Sequence, residues 1–440
     1  MKNPDKMDLA QWAVDQTLQA GANEVAVALS NQRQVDVEIR EKKLEKLKES
    51  TQNSLTLQIY SDHRYSSHTT NDLRKGTLKK FISEAVAATK YLSQDEYRQL
   101  TDPKFFPQKI KADLGLLDQE YGSVTTADRV KMAKEIEAAA VGVSDKIISS
   151  TAGYTDISSE NTSVFSNGFK GESRKTVFYA GAEVTVRDGD SGRPEDWYWG
   201  AARFKNKLPA PKFLGEEAAR RALRKIGQKK IKSGQFTTIV ENRSGGRLLG
   251  MFQQPMSARA LQQKSSFLDG MLGKKIASDK LTIIDDPLIN GGLGSRLFDG
   301  EGIAAKKRVM IERGVLNHYY IDNYYGRKLG MQPNSGSASN IVLEYGTRGC
   351  DALIKSLENG ILITGFIGGN SNSTTGDFSF GIVGLLIEDG KLVQPINEMN
   401  ISGNAKEFWN KLIEVGNDPY PYSSRQIPSL VFEGVEFSGL

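Results

Sequence analysis

The sequence predicts an α+β protein of two or three domains, and three observations lead there. Helical and strand periodicities alternate through the first half of the chain. The second half is dense in glycine turns and short strands. At 440 residues the chain also exceeds what one ordinary core encloses. The expected division is an N-terminal α/β domain over 1–108, a middle α+β domain over 109–230 and a β-rich C-terminal domain over 231–440.

The elements follow in order. Leu9, Trp12 and Ala13 share one face of a helix over about 7–20, which Gly21 is placed to end. Val25, Val27 and Leu29, then Val35, Val37 and Ile39, then Leu55, Leu57 and Ile59, repeat with the period of two that marks strands. A helix over about 72–92 closes this unit, and 93–108, with two prolines, is a connection. In the middle segment Thr126 caps a helix carrying Val130, Ala133, Ile136 and Ala140 on one side. Strands are expected at 163–165 and 176–187, and a helix over about 216–227. In the last segment Arg313-Gly314 and Asp389-Gly390 each separate two apolar runs and predict hairpins, because glycine supplies the positive φ of a tight turn. Helices are expected near 244–252 and 405–412.

Composition removes several classes of function. A hydrophobic share of 38% with 25% charged residues suits a soluble globular chain rather than a disordered one. No run of about 18 apolar residues predicts a membrane span. Met1 to Lys6 lead into an amphipathic stretch rather than a signal-peptide core, so a cytoplasmic protein is expected. The single cysteine, Cys350, excludes an internal disulfide and every multi-cysteine metal motif, and reads as a small residue on a turn. A net charge of +5 with interleaved acids and bases argues against a nucleic-acid track.

Familiar catalytic motifs are missing. None of the histidines, His63, His68 and His318, is followed by glutamate, so no HExxH or HExxxH helix exists to set two imidazoles on one face. His63 and His68, five residues apart, fall on opposite faces of a regular strand. Gly292 to Leu297 starts like a dinucleotide fingerprint but lacks its third glycine. Gly273-Lys274-Lys275 lacks the rest of a P-loop, and no G-x-S-x-G elbow occurs.

Three constellations remain. Asp285, Asp286, Asp299 and Glu301 lie in a glycine-rich stretch and have the chemistry to bind a hard cation. The competing reading, which is favoured, has them capping turns and pairing with Arg296, Lys306, Lys307 and Arg308. Asp377, Phe378 and Phe380 belong to Asn370–Gly381, where glycines permit close backbone approach and the two phenylalanines share a strand face. A peptide-edge site and a glycine-relieved bend both fit, and the bend is commoner. Tyr319, Tyr320, Tyr324 and Tyr325, beside Asp322 and Asn323, read as a packed interface.

The order and spacing of longer runs add more. Ser265 to Leu268, Leu272 to Ser278, Leu281 to Pro287, Gly291 to Ser295, Phe298 to Gly302, Tyr320, Arg327 to Gly330, Thr375 to Gly381, Ile387 to Lys391, Pro395-Ile396 and Gly403-Asn404 together resemble the TldD/PmbA family. They cover most of 235–440. One branch of that family carries a helix of form LLHExxxH, which with a cysteine near the C-terminus binds zinc. The other, the PmbA/TldE branch, lacks those ligands. Here the matching helix reads Leu248-Leu249-Gly250-Met251-Phe252-Gln253-Gln254-Pro255. Gly250 and Pro255 stand at the histidine positions and Met251 at the glutamate, and none can ligate zinc or act as a general base. Ser423 to Leu430 resembles the PmbA-branch ending and has no cysteine.

The resemblance implies a proteolytic system acting on unfolded peptides. This chain is then a non-catalytic PmbA/TldE-like subunit, with no cofactor of its own and zinc only in a TldD-type partner. The partner is that subunit or a second copy of the chain; no nucleic acid and no membrane are expected. Asp285, Asp286, Asp299, Glu301, Asp377, Phe378 and Phe380 are the candidates for lining the peptide site, with backbone pairing expected at a strand edge over 377–382. Two rivals stand beside this reading: a stand-alone metallopeptidase using the carboxylates, and a binding protein that modulates DNA gyrase.

Overall fold

A computed structural model describes residues 6–108 and 112–439. The expectations for Met1 to Asp5, and the exact edge of the 108/109 division, lie outside those residues.

The first half of the chain builds one antiparallel sheet. Its helices are α1 (Lys6–Gln19), α2 (Lys75–Thr89), α3 (Thr126–Val141) and α4 (Pro211–Leu223), and its strands are β1 (Glu24–Arg40), β2 (Lys43–Ser61), β3 (Arg64–Thr70), β4 (Ile147–Phe165), β5 (Lys170–Val186) and β6 (Glu195–Ala202). The spatial order is β3-β2-β1-β4-β5-β6. β1 pairs with β4 from Ala26↔Phe165 to Arg40↔Thr151, so a division near 108 falls inside a single continuous sheet. Val25, Val27 and Leu29 pack under α1 and α2, whereas Val37 and Ile39 pack under α3 and α4. These alternate residues of one strand share a face, so all four helices cover the same side. The cap of α3 is Thr125 rather than Thr126: its hydroxyl accepts from Asp128 N–H at 3.1 Å while the Asp128 carboxylate takes Thr125 N–H at 2.9 Å.

The second half holds two further sheets over one large core. Its strands are β7 (Gly234–Val240), β8 (Ile283–Asp285), β9 (Arg308–Glu312), β10 (Val315–Leu316), β11 (Ile341–Leu343), β12 (Asn359–Phe366), β13 (Asn370–Ser371), β14 (Asp377–Glu388), β15 (Lys391–Asn404), β16 (Leu412–Val415), β17 (Arg425–Gln426) and β18 (Leu430–Ser438). Its helices are α5 (Asn242–Gln253), α6 (Ala258–Gln262), α7 (Asn323–Leu329), α8 (Cys350–Lys355) and α9 (Ala405–Asn410). β12-β7-β18-β15-β14 form a path that β12–β14 pairing closes into a ring, with β13 and β16 appended. A smaller sheet runs β10-β9-β8-β11-β17. Both expected hairpins are present; Glu388 pairs with Lys391 across Asp389 and Gly390, whose φ values of 48° and 72° are those of a two-residue turn. Among the described residues no helix is long and apolar enough to cross a membrane.

The C-terminal domain meets the first half at several places, and two of them contrast in chemistry. At β6, Arg221 of α4 is buried and reaches Glu241, just before α5, and Asp196 receives Arg243 at 2.8 Å and Lys225 at 3.1 Å. Burial pushes the Asp196 carboxyl up, and the cations around it outweigh that and hold it at about 2. At the other end, Phe106, Phe165 and Phe169 pack with Phe298 of the C-terminal domain. Gly302 is set among these rings with φ of 76°, and a Cβ there would come within 3.1 Å of Phe106 and Phe165.

Candidate functional site

The helix matching the family's metal-binding segment is α5. Gly245, Gly246 and Gly250 make it a weak helix by propensity, so its stability comes from its inner face. Leu248, Leu249, Met251 and Phe252 are buried in the C-terminal core. Met251, at the position of the family's glutamate, is thus a core side chain, 3% exposed. The other face carries Asn242, Arg243, Gly246, Arg247, Gly250 and Gln253, spaced three and four apart, which places them in one outward stripe. The helix ends at Gln253, two residues before Pro255, whose ring is incompatible with continuing it.

Gly250 opens onto a cleft of about 340 Å³, lined also by Gln253, Gln254, Ser257, Tyr320 and the Gly336–Ala338 loop. A Cβ at Gly250 would meet nothing within 4 Å, so the glycine leaves its part of the cleft empty. The lining is polar and uncharged. Arg296 fixes the loop by donating to the carbonyl oxygens of Ser337 (2.6 Å) and Ala338 (3.1 Å). Tyr320 is 6% exposed, and burial pushes its hydroxyl far above the ordinary phenol range, so it stays protonated. A second, apolar recess between Leu249, Phe252, Met256, Met310 and Ile341 adjoins it through Gln253, Tyr320 and Ala338. Amides, hydroxyls and backbone beside an apolar recess suit an extended peptide better than a small anion.

The four carboxylates do not gather around one point. Asp285 is fully buried and bonds Arg308 at 2.6 Å and Ser339 N–H at 2.9 Å. Asp286 pairs with Lys307 at 3.3 Å and accepts from Leu288 N–H. Asp299 accepts the amides of Glu301 and Ile303 within its own turn, and burial raises its carboxyl against those donors. Glu301 accepts Asn323 N–H at 2.9 Å, and burial pushes it up to about 7. Arg296, an expected partner of these acids, serves the 335–338 loop instead.

The expected peptide edge over 377–382 is filled, which corrects the sequence expectation. β15 pairs with this stretch on one side. On the other, β13 pairs with Phe378 and Ser379, and Ile367 N–H donates to Gly381 O at 2.9 Å. Phe378 and Phe380 do share a face, but it is the inner one: they are 5% and 1% exposed and stack at 5.2 Å in the C-terminal core. Asp377 accepts from Thr375 Oγ and Asn404 Nδ2, which hold it below the usual carboxylate range and tie the bend to β15.

The remaining expectations resolve as packing. His63 sits in the β2–β3 turn with φ of 62°, while His68 lies on β3 and contacts Ser66 Oγ at 2.9 Å. Tyr324 donates to Asp95 at 2.6 Å and lies under the Arg98 guanidinium, so the tyrosine cluster does form an interface. Cys350 opens α8, where burial pushes its thiol up to about 12 and leaves it a poor nucleophile. Among the described residues no three His, Cys, Asp or Glu side chains converge in a way that would hold a metal ion. Sequence reasoning missed Gln253, Gln254, Ser257 and the 336–338 loop as cleft residues. The glutamines were signalled by the polar stripe that continues past Gly246 and Gly250.

Comparison with known proteins decides the family. Residues 120–226 match the PmbA/TldA metallopeptidase central domain and residues 233–439 its C-terminal domain. The chain belongs to the TldD/PmbA family. It is 26% identical to Metalloprotease PmbA of Escherichia coli O157:H7 over 94% of this chain and 92% of that protein. A Bacteroides thetaiotaomicron protein whose crystal structure is named for modulation of DNA gyrase superposes with a TM-score of 0.97 at 42% identity, covering all of both chains. TldE from Thermococcus kodakarensis shares the fold, with a TM-score of 0.86 at 21% identity over 98% of this chain and all of that one. The matching models are those of a metallopeptidase family, and curated proteins of PmbA type align with nearly the whole chain.

Proposed function

We propose that this chain is the metal-free PmbA/TldE-type subunit of a cytoplasmic TldD–TldE-type peptidase, supporting a zinc-bearing partner and helping to hold unfolded peptide. The observation that carries the reading is the outward stripe of α5. It faces a cleft open enough for an extended chain, yet it presents glycine and amides where the family's zinc enzymes present imidazoles. The residues there do not fit zinc. Gly250 has no side chain, Met251 is turned into the core and Pro255 carries no donor. Cleavage chemistry is therefore assigned to the partner, and no catalytic step is derived for this chain. The carboxylate alternative is disfavoured, because Asp285 and Asp286 already satisfy Arg308 and Lys307.

The test is metal content and peptide cleavage for the chain alone, then mixed with the TldD-type protein of the same organism. The expected result is no stoichiometric zinc, no cleavage alone, and a several-fold rise in the partner's activity on mixing. Stoichiometric metal and unaided cleavage would overturn the reading.

A further inference from the structure

A second cleft, of about 350 Å³, lies between β6 and the first half of α5. Three guanidiniums line it, those of Arg243, Arg247 and Arg425, and no carboxylate does. Arg243 is already neutralised, bonding Asp196 at 2.8 Å and stacking on Trp197 at 4.1 Å. The other two are not. Arg247 donates to the carbonyl of Gly369, and Arg425 to the carbonyl of Gly246 (3.4 Å) and the amide oxygen of Gln253. Neither forms an ion pair with a described residue, and each guanidinium carries five N–H donors.

The remaining wall is aromatic and preset. Trp199 lies across Gly153, where a Cβ would come within 2.6 Å of the indole. Tyr420 donates to Trp199 O at 2.8 Å, and Tyr420 and Tyr422 meet edge to face at 5.5 Å. Trp197 is 44% exposed beside them. Rings held this way present apolar surface at little further entropic cost.

We propose that this cleft binds the carboxylate terminus of an extended peptide, with Arg247 and Arg425 taking the carboxylate and the Trp197–Trp199–Tyr422 wall taking the last side chains. Arg247, which also lies over the Phe380 ring at 4.8 Å, and Arg425 line one cleft without an acidic partner; two such guanidiniums suit a single carboxylate, whereas a nucleic acid needs a track of cations along its backbone. The outward stripe of α5 runs from Arg243 and Gly246 to Gly250 and Gln253, so a chain anchored here continues over the uncharged cleft. The proposal rests on the reading of this chain as a peptide-handling subunit. Its test uses this chain alone, so the two readings fail separately.

Binding is measured by fluorescence anisotropy with a short, N-terminally labelled peptide ending in Phe. Three forms are compared: free C-terminus, amidated C-terminus, and amidated with an internal Glu; an unlabelled single-stranded oligonucleotide serves as competitor. Amidation is expected to weaken binding about tenfold or more, with the internal Glu restoring little. Arg247→Gln with Arg425→Gln should weaken the free peptide equally and abolish the difference on amidation. Arg247→Gln alone, at an exposed position, should show part of the effect if the double variant folds poorly. Equal affinity for free and amidated peptides, absence of binding by the folded chain, or displacement by the oligonucleotide would each overturn the proposal.

Discussion

Two of the places where the C-terminal domain grips the first half solve one problem in opposite ways. At β6 the buried acid Asp196 is surrounded by Arg243, Lys225 and Arg221 and stays ionised, down to about 2. At the other end the half-buried acid Glu301 meets the Asn323 amide and the carboxylates of Asp299 and Asp322, and burial above all carries it up to about 7. Depth of burial alone does not fix the charge of a carboxylate; what faces it does. The clamp therefore keeps its charge through neutral pH, whereas Glu301 gives up its proton near it.

Breaking the clamp should have the largest effect. Arg221→Ala leaves Glu241 and Asp196 buried with one cation fewer, and a loss of about 3–5 kcal/mol is expected in denaturant unfolding. A loss below about 1 kcal/mol would show that solvent reaches the cluster freely.

The aromatic end should respond in the other direction. The folded-state value of Glu301 lies above its ordinary 4.5, so its contribution to stability is complete below that value and is lost as pH rises through about 7. Glu301→Gln should therefore raise stability at pH near 8 by up to about 3 kcal/mol and flatten the pH dependence between those limits. Thermal melts of both proteins across that range check this, and parallel curves would sink it.

The outward stripe of α5 sets the smallest scale. Gly250→Ala adds a Cβ into open space in a helix interior, and a gain of about 0.5–1 kcal/mol is expected. A loss instead would mean that something in solution occupies the room the glycine leaves.

Much of this fold was legible in the sequence, for local reasons. The hairpins at Arg313-Gly314 and Asp389-Gly390 and the core faces of α1, α3 and α5 follow from turn chemistry and periodicity. β4 was not legible over its full 19 residues, because Ser, Thr, Asn and Asp fill it and blur the alternation. Nor was β1 legible as a single strand, since Ser30 to Gln34 interrupt its apolar pattern with polar residues. The same limit applies at the site. A period of two placed Phe378 and Phe380 on one face but carried no information about whether that face looked out or in. The outward stripe of α5 was readable from spacing, whereas Tyr320 and the 336–338 loop come from distant segments and required the fold itself.

The closed ring in the C-terminal domain also bears on how the protein is made. β18 lies between β7 and β15, although it follows every other strand of the ring in the chain. The large sheet is complete once residue 202 has left the ribosome, but the ring stays open, with β7 unpaired along one side, until β18 emerges. Nascent chains stalled before 430 should therefore carry a finished first half and an exposed, chaperone-dependent second half.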